Sequence, residues 1–150
     1  MRIAIGSDHR GYLLKKYLKQ RLREEGYVVY DFGTNSQDPC DYPQIAFPLS
    51  LAVRKGDFER GILICATGIG MSIAANKVKG IRAALCLSPE TARLSREHND
   101  ANILILGGML LKKENAEHIC KVWLDSDFLN ERHSRRLRQI EEFEERCQSG

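Results

Sequence analysis

Residues 61–70 read Gly-Ile-Leu-Ile-Cys-Ala-Thr-Gly-Ile-Gly, and this stretch decides the fold. It begins as a strand-like run of apolar residues and ends in a turn that holds two glycines. An apolar run that does not alternate with polar residues is typical of a parallel strand covered on both faces. A helical stretch follows the turn and extends to about Lys77. A strand–turn–helix unit is therefore predicted here.

Four further strand-like runs alternate with helix-like segments on both sides of this unit. These strands are predicted at residues 2–5, 27–30, 83–87 and 103–106. The helices between them are indicated by apolar side chains three and four residues apart and, before the fifth strand, by a Ser88-Pro89 start. The alternation predicts an α/β protein, with a Rossmann-like, doubly wound, five-stranded parallel sheet in a three-layer sandwich.

Length and composition limit the possible classes. The chain has 150 residues, 43% hydrophobic and 29% charged, which fits one globular domain over residues 1–150 and excludes a disordered chain. The formal net charge is +3, with basic and acidic residues interleaved, so no nucleic-acid partner is expected. The longest apolar stretch, residues 103–111, is too short to span a membrane. No secretory signal is expected from the first residues.

The cysteine count points to a reducing compartment. There are five cysteines, an odd number, and no two are spaced as Cys-x-x-Cys. A disulfide framework and a structural zinc site are therefore not expected, and a cytoplasmic location is predicted. No group of residues has metal-ligand spacing, so no metal is predicted.

The last segment, residues 132–147, is strongly charged and carries a thin apolar stripe of Leu137, Ile140 and Phe143. A helix is predicted here. It can pack on its own domain or on a second subunit, and the second arrangement is favoured.

Candidate functional residues gather where strands end. In an open parallel sheet, ligands bind beyond the carboxyl ends of the strands. We expect three groups of residues to meet at that edge: 6–9, 65–70 and, after the fourth helix, 98–100.

Cys65 is the most informative of these residues. Free amides at the start of the following helix can bind an anion, and they favour a thiolate at Cys65. The alternative interpretation is a small core residue at the end of a strand. Known glycine motifs do not fit the turn. The turn lacks the lysine that a P-loop needs, and a dinucleotide fingerprint would need a glycine where Ile73 stands. A phosphatase loop of the Cys-x5-Arg kind would need an arginine in place of Met71, and a receiver domain would need an aspartate in place of Cys65.

Other polar residues each have a structural alternative. Asp8 and His9 can form an acid–base pair after the first strand. In the alternative interpretation, Asp8 caps the following helix and His9 is a partly exposed histidine. His98 can exchange a proton near pH 7, or it is a surface histidine at a helix end. Arg132 and Arg136 share a helical face and can grip a phosphate, or they form a solvated face paired with glutamates.

Taken together, several motifs resemble the type B ribose-5-phosphate isomerases, a family that includes galactose-6-phosphate and allose-type isomerases. The resemblance covers nearly the whole chain in order, to about Arg136. The motifs that carry it are residues 6–11 (Gly-Ser-Asp-His-Arg-Gly), 41–43 (Asp-Tyr-Pro), 61–72, 76–77, 80–83 and 95–102 (Ser-Arg-Glu-His-Asn-Asp-Ala-Asn).

The resemblance implies aldose–ketose isomerisation through a cis-enediolate, without a cofactor or metal. Cys65 would be the base, Thr67 to Gly70 would supply donors to the enediolate, and His98 would help to open the furanose ring. The substrate-binding residues implied are Asp8, His9, Tyr42, Ala66, Gly68, Ile69, Gly70, Asn99, Arg132 and Arg136. His9 and the two arginines would meet the phosphate. A homodimer with its sites between the subunits is implied, with pairing into a tetramer as an option.

The chain departs from the family pattern in three places. Ala66 stands where the family has glycine, Met109 where it has a phosphate-binding arginine, and Asn130-Glu131 where it has Gly-Gly. The loss of a cation and the gain of a carboxylate both weaken a site for a dianion. Lys112 or Lys113 could replace the lost positive charge, but a lysine ammonium lacks the forked donors of an arginine. The leading function is interconversion of ribose 5-phosphate and ribulose 5-phosphate. An isomerase of a six-carbon sugar or its phosphate, and a non-catalytic sugar-phosphate binding module, are the alternatives.

Overall fold

The computed structural model describes residues 1–149, with side chains through Cys147. Strands and helices alternate along these residues. The strands are β1 (Arg2–Ser7), β2 (Val28–Asp31), β3 (Arg60–Cys65), β4 (Ala83–Leu85) and β5 (Ile103–Gly107). The helices are α1 (Tyr12–Glu24), α2 (Pro43–Lys55), α3 (Ile69–Ala75), α4 (Pro89–Asn99), α5 (Lys113–Asp125) and α6 (Glu131–Ser149).

The five strands form one parallel sheet in the order β2-β1-β3-β5-β4. The central strands β3 and β5 are buried along their whole length, as continuous apolar runs predict. Gly6 is paired with Leu63, and Cys65 with Gly107. The predicted α/β class and the five-stranded parallel sheet are confirmed.

Helices cover both faces of the sheet, so the three-layer arrangement is confirmed as well. Leu14, Leu18 and Leu22 of α1 join α4 and α5 in one apolar cluster, in which Trp123 is fully buried. Helices α2 and α3 form the second cluster on the other face. Helix α4 begins as expected, because the Thr91 amide donates to the Ser88 hydroxyl at 3.2 Å.

The edge strand β4 is shorter than predicted and is closed by a side chain. The side-chain Nδ2 of Asn76 donates to the Ala83 carbonyl at 3.0 Å, and the Ala83 backbone amide donates to the Asn76 Oδ1 at 2.9 Å. Asn76 thus takes the place of a neighbouring strand. Beyond Leu85, the Cys86 amide still bonds to β5, at the Ile105 carbonyl.

Helix α6 divides its apolar stripe between two environments. Leu137 is buried within the chain, whereas Ile140 and Phe143 are exposed. The helix packs near α4, and the carboxylate of Glu144 accepts from the Gly80 amide at 3.2 Å. The first part of α6 therefore belongs to the core of this chain, and the later part presents apolar side chains outward.

Candidate active site

Strands β1, β3 and β5 are neighbours in the sheet, and their carboxyl ends lie side by side. Helix α1 follows β1 on one face of the sheet, and α3 follows β3 on the other face. Where the helices that follow two neighbouring parallel strands lie on opposite faces of the sheet, the loops diverge at the carboxyl ends of the strands and leave room for a ligand. Cys65, the last residue of β3, lies between the ends of its two neighbouring strands.

The Cys65 sulfur is held by the turn that follows it. The Gly68 amide donates to the Cys65 Sγ at 3.2 Å, and the cysteine is 5% exposed. Gly68 adopts the left-handed conformation, with φ of 84°, and a Cβ there would lie 2.5 Å from Leu85 Cδ1. The left-handed conformation favours glycine at position 68, and the approach of Leu85 leaves little room for a side chain there. The Gly68 amide therefore fixes the position of the sulfur at the start of the turn.

The start of α3 leaves backbone donors unused beside this sulfur. The Ile69 amide donates to the Thr67 hydroxyl at 3.2 Å, and the Ser72 amide donates to the Gly68 carbonyl at 3.0 Å. The amides of Gly70 and Met71, which lie between Ile69 and Ser72, have no acceptor among residues 1–149. Fixed donors of this kind stabilise negative charge that develops on a substrate oxygen.

The turn after β5 clamps the same segment from the other side. The Gly108 amide donates to the Cys65 carbonyl at 2.8 Å, and the Met109 amide donates to the Ala66 carbonyl at 2.9 Å. A Cβ on Gly107 would lie 2.7 Å from the Thr67 carbonyl oxygen, so only glycine permits this approach. The two turns fix the backbone of the sulfur-bearing segment.

Tyr42 and the loop after β1 complete this group of residues. The Tyr42 ring covers Gly70 so closely that a Cβ on Gly70 would lie 2.7 to 2.9 Å from ring atoms. Asp8 is buried, and its Oδ1 accepts from the amides of Arg10 at 2.9 Å and Gly11 at 3.0 Å. The Asp8 carboxylate therefore caps the loop before α1, whose own cap position is Gly11. We call Asp8, His9, Tyr42 and residues 65–70 the sulfur half-site.

A buried ion pair that sequence reasoning missed supports the loop beside this half-site. Lys15, 1% exposed, donates to Asp31 Oδ1 at 2.8 Å and to the Thr34 carbonyl. Burial lowers the pKa of Lys15, and the Asp31 carboxylate opposes that effect. Burial alone would raise the pKa of Asp31, but hydrogen bonds from Lys15, Lys19 and the Gly33 amide outweigh it and lower that pKa. A lysine directly after the core position Leu14 was the available signal.

The pair anchors the loop that reaches His9. Ser7 and the loop exchange two backbone bonds of 2.7 Å, from the Ser7 amide to the Gly33 carbonyl and from the Thr34 amide to the Ser7 carbonyl. Farther along, the Cys40 amide donates to Nδ1 of His9 at 3.2 Å. Because Nδ1 accepts, the proton of the neutral imidazole lies on Nε2, which is left as a donor.

The prediction that residues 98–100 lie at the same edge is wrong. Helix α4 runs back across the sheet, and its last residues lie where β4 and β5 begin: Arg82 Nε donates to the Asn99 carbonyl at 3.1 Å, and the Asn102 amide donates to the Arg82 carbonyl at 3.0 Å. In a crossover between parallel strands, a helix ends at the start of the next strand. A strand of five or six residues, roughly 15–20 Å, therefore separates His98 from Cys65 of the same chain.

His98 instead belongs to a second group of residues around the start of α6. The His98 ring stacks on the ring of His133, which lies between Arg132 and Arg136 in the sequence. Neither arginine forms an ion pair within residues 1–149, and both are exposed. We call His98, Asn99, Arg132 and Arg136 the imidazole half-site. Asn99 also lines a groove of about 390 Å³ between α6 and the β4 edge.

Burial lowers the pKa of His133, and the neighbouring charges of His98, Arg132 and Arg136 lower that pKa further. His133 therefore offers His98 a neutral ring to stack on near pH 7. Sequence reasoning did not single out this residue, although its place between the two arginines marks the same surface.

Residues 1–149 contain no group of three or more histidine, cysteine, aspartate or glutamate side chains able to hold a metal ion. All five cysteines are free. Over the same range, every helix is too short or too polar to cross a membrane.

Known proteins place this fold and these motifs in a class of sugar isomerases. The family model described as Ribose/Galactose Isomerase matches residues 3–140. The chain belongs to this family, and the resemblance seen in the sequence is confirmed. It is 45% identical over 145 residues to Ribose-5-phosphate isomerase B of Escherichia coli, covering 97% of each chain.

Solved structures agree with this assignment. Ribose-5-Phosphate Isomerase B of Clostridium thermocellum matches with a TM-score of 0.97 and 48% identity, over 98% of this chain and 99% of the other. Ribose-5-phosphate Isomerase B of Mycoplasma genitalium, solved with bound ribulose 5-phosphate, matches with a TM-score of 0.92 and 40% identity, over 96% of each chain.

Proposed function

We propose that this protein interconverts ribose 5-phosphate and ribulose 5-phosphate, with the Cys65 thiolate as the base. The observation that carries the proposal is the position of the Cys65 sulfur, 3.2 Å from the Gly68 amide nitrogen and beside the unbonded amides of Gly70 and Met71. Family membership and the ribulose 5-phosphate bound to the Mycoplasma genitalium relative support the choice of substrate.

The proposed reaction moves one proton between two neighbouring carbons. The thiolate takes the proton from C2 of the open-chain aldose, and the electron pair left behind forms the C1–C2 double bond of a cis-enediolate. The thiol then returns the proton to C1, while a proton passes from the C2 hydroxyl to the C1 oxygen. The ketose results without a net change in oxidation state. Thr67 and the unbonded amides of Gly70 and Met71 stabilise the enediolate oxygens.

The remaining residues bind the rest of the sugar. Asp8 and Asn99 bind hydroxyl groups, and Tyr42 lines the pocket. His98 donates a proton to open the furanose ring. His9, Arg132 and Arg136 bind the phosphate, the two arginines through forked hydrogen bonds from one face of α6. No step requires a metal or an organic cofactor.

We infer that two copies of the chain build each site. The base lies in the sulfur half-site, at the carboxyl ends of the strands, and the proton donor lies in the imidazole half-site, near their amino ends. A single chain cannot bring both to one sugar, but a second copy can place its imidazole half-site against the sulfur half-site of the first. A two-fold homodimer then has two equivalent sites. A cytoplasmic enzyme of pentose phosphate metabolism would fit free cysteines and this substrate.

Hydrogen exchange tests the proposed function. The protein is incubated with ribose 5-phosphate in deuterated water, and the C2 proton is followed by NMR. We expect deuterium to enter the sugar, and Cys65→Ser to slow its entry about a hundredfold to ten-thousandfold. Cys147→Ser, which alters an exposed cysteine near the end of α6, serves as the control and keeps the wild-type rate. Binding without exchange would instead indicate a non-catalytic binding module. A panel of pentoses and hexoses, each with and without phosphate, identifies the preferred sugar.

A further inference from the structure

Arg10 lies at the sulfur half-site, and the Asp8 carboxylate holds its backbone there. Its amide donates to Asp8 Oδ1 at 2.9 Å. A Cβ on Gly108 would lie 3.2 Å from the Arg10 carbonyl oxygen, while the Gly108 amide bonds to the Cys65 carbonyl. A single glycine therefore separates the backbone of Arg10 from that of Cys65.

The Arg10 guanidinium lacks a counter-ion. Its Nη1 lies 3.6 Å from Met109 Sδ, the side chain is exposed, and no carboxylate within residues 1–149 pairs with it. Some arginines of the chain are ion-paired, as Arg96 is with Asp100 at 2.8 Å, whereas Arg10, like Arg132 and Arg136 of the imidazole half-site, is not. A thioether is a weak acceptor and carries no charge. The forked donors of Arg10 are thus available to an anion beside the sulfur half-site.

The residue before Arg10, His9, offers a second donor. His9 accepts from the Cys40 amide through Nδ1, which leaves Nε2–H free. The nearest carboxylate in sequence, Asp8, already accepts two backbone amides. His9 and Arg10 together therefore form a site for a group with several acceptor oxygens and a double negative charge.

The geometry points to Arg10 as a phosphate-binding, specificity-determining residue that belongs to the same chain as Cys65. This inference rests on the proposed function. In that function, Arg10 binds the phosphate of the substrate from one side, and Arg132 and Arg136 of a second copy bind it from the other. Met109 holds the guanidinium in place before the sugar arrives.

Kinetics of Arg10 variants test the inference. For Arg10→Ala we expect the KM for ribose 5-phosphate and the inhibition constant of inorganic phosphate to rise about tenfold to a hundredfold, with kcat changed less than about twofold. Exchange into unphosphorylated ribose stays unchanged. Arg10→Lys recovers only part of the loss, because an ammonium lacks the fork. Adding Met109→Arg to Arg10→Ala lowers KM again, because residue 109 reaches the same space.

The control is Arg54→Ala, which removes the same charge from the last turn of α2 and keeps the wild-type KM. An unchanged KM in Arg10→Ala, or equal losses with ribose and ribose 5-phosphate, would overturn the role of Arg10. If the wild-type protein turns over no sugar, the proposed function fails. Calorimetric titration with inorganic phosphate then still tests whether Arg10 binds phosphate. Weaker binding in Arg10→Ala then supports the inference, and equal binding or none in both proteins rejects it.

Discussion

The imidazole rings of His98 and His133 stack with their centroids 4.3 Å apart and their planes 17° apart. His98 lies in the last turn of α4, and His133 in the first turn of α6. The Leu129 amide also donates to the Glu97 carbonyl at 3.1 Å, so the segment before α6 is tied to the same end of α4. The stack thus sets the orientation of the proposed proton donor relative to the arginines of α6.

Titration of His133 should make the stability of the protein depend on pH. Burial first, and neighbouring positive charge second, lower the pKa of His133 in the folded state below its usual 6.5. As the pH falls through about 6.5, the unfolded chain takes up the proton first, so stability falls. We expect His133→Phe, which keeps a buried ring that cannot titrate, to lose less stability than the wild type between pH 7 and pH 5. Urea unfolding at both pH values measures this, with exposed His118→Gln as the control. Equal losses in His133→Phe and the wild type would contradict the prediction.

Mixing two inactive variants should restore activity if each site is shared between copies. Cys65→Ala removes the base, and His98→Ala removes the proton donor from the opposite edge of the sheet. In a mixed dimer one site carries both defects, and the other site is intact. After subunit exchange in equal amounts, we expect about a quarter of the wild-type activity. Sites contained within one chain would give no activity on mixing. The double variant Cys65→Ala/His98→Ala, mixed with Cys65→Ala, should stay inactive.

A methyl group at position 70 should disturb the pocket more than the fold. The Cβ of Gly70→Ala would lie 2.7 Å from the nearest atom of the Tyr42 ring, and that ring is exposed rather than packed in the core. We expect KM for the sugar phosphate to rise several-fold, while the free energy of unfolding changes by less than about 1 kcal/mol. Steady-state kinetics and urea unfolding measure the two effects. Gly70→Ala should have a smaller effect on KM in a Tyr42→Ala background. Equal effects in both backgrounds would show that the ring is not the cause.

Glu117 should contribute stability that disappears in acid. A hydrogen bond from Tyr17, followed by bonds from Lys121 and Arg21, lowers the pKa of Glu117 to about 2, although burial opposes this. A carboxylate with a depressed pKa stabilises the fold above its usual pKa of 4.5, and this contribution is lost as the pH falls from about 4.5 to about 2. We expect Glu117→Gln to be less stable than the wild type at pH 7, with the difference closing in that window. Exposed Glu114→Gln, on the same helix, should show little difference. A constant difference at Glu117 down to pH 2 would exclude titration as the cause.

Much of the fold could be predicted because apolar runs and glycine turns act locally. The strand ending at Cys65 and the turn at Gly68 follow from the residues themselves. The position of His98 does not, because the direction of α4 across the sheet decides to which edge its last turn returns. Contacts between distant residues, such as Arg10 with Met109 or Lys15 with Asp31, likewise depend on how the strands are ordered.

The side-chain amide that closes β4 has a consequence for how these molecules aggregate. An exposed edge strand is the usual template on which a foreign strand adds, and it is a starting point for fibres. At Ala83 the outward backbone groups are already taken by Asn76 of the same molecule. Replacing that asparagine would leave an open hydrogen-bonding border, and the variant should form amyloid-like deposits more readily while its core stays intact.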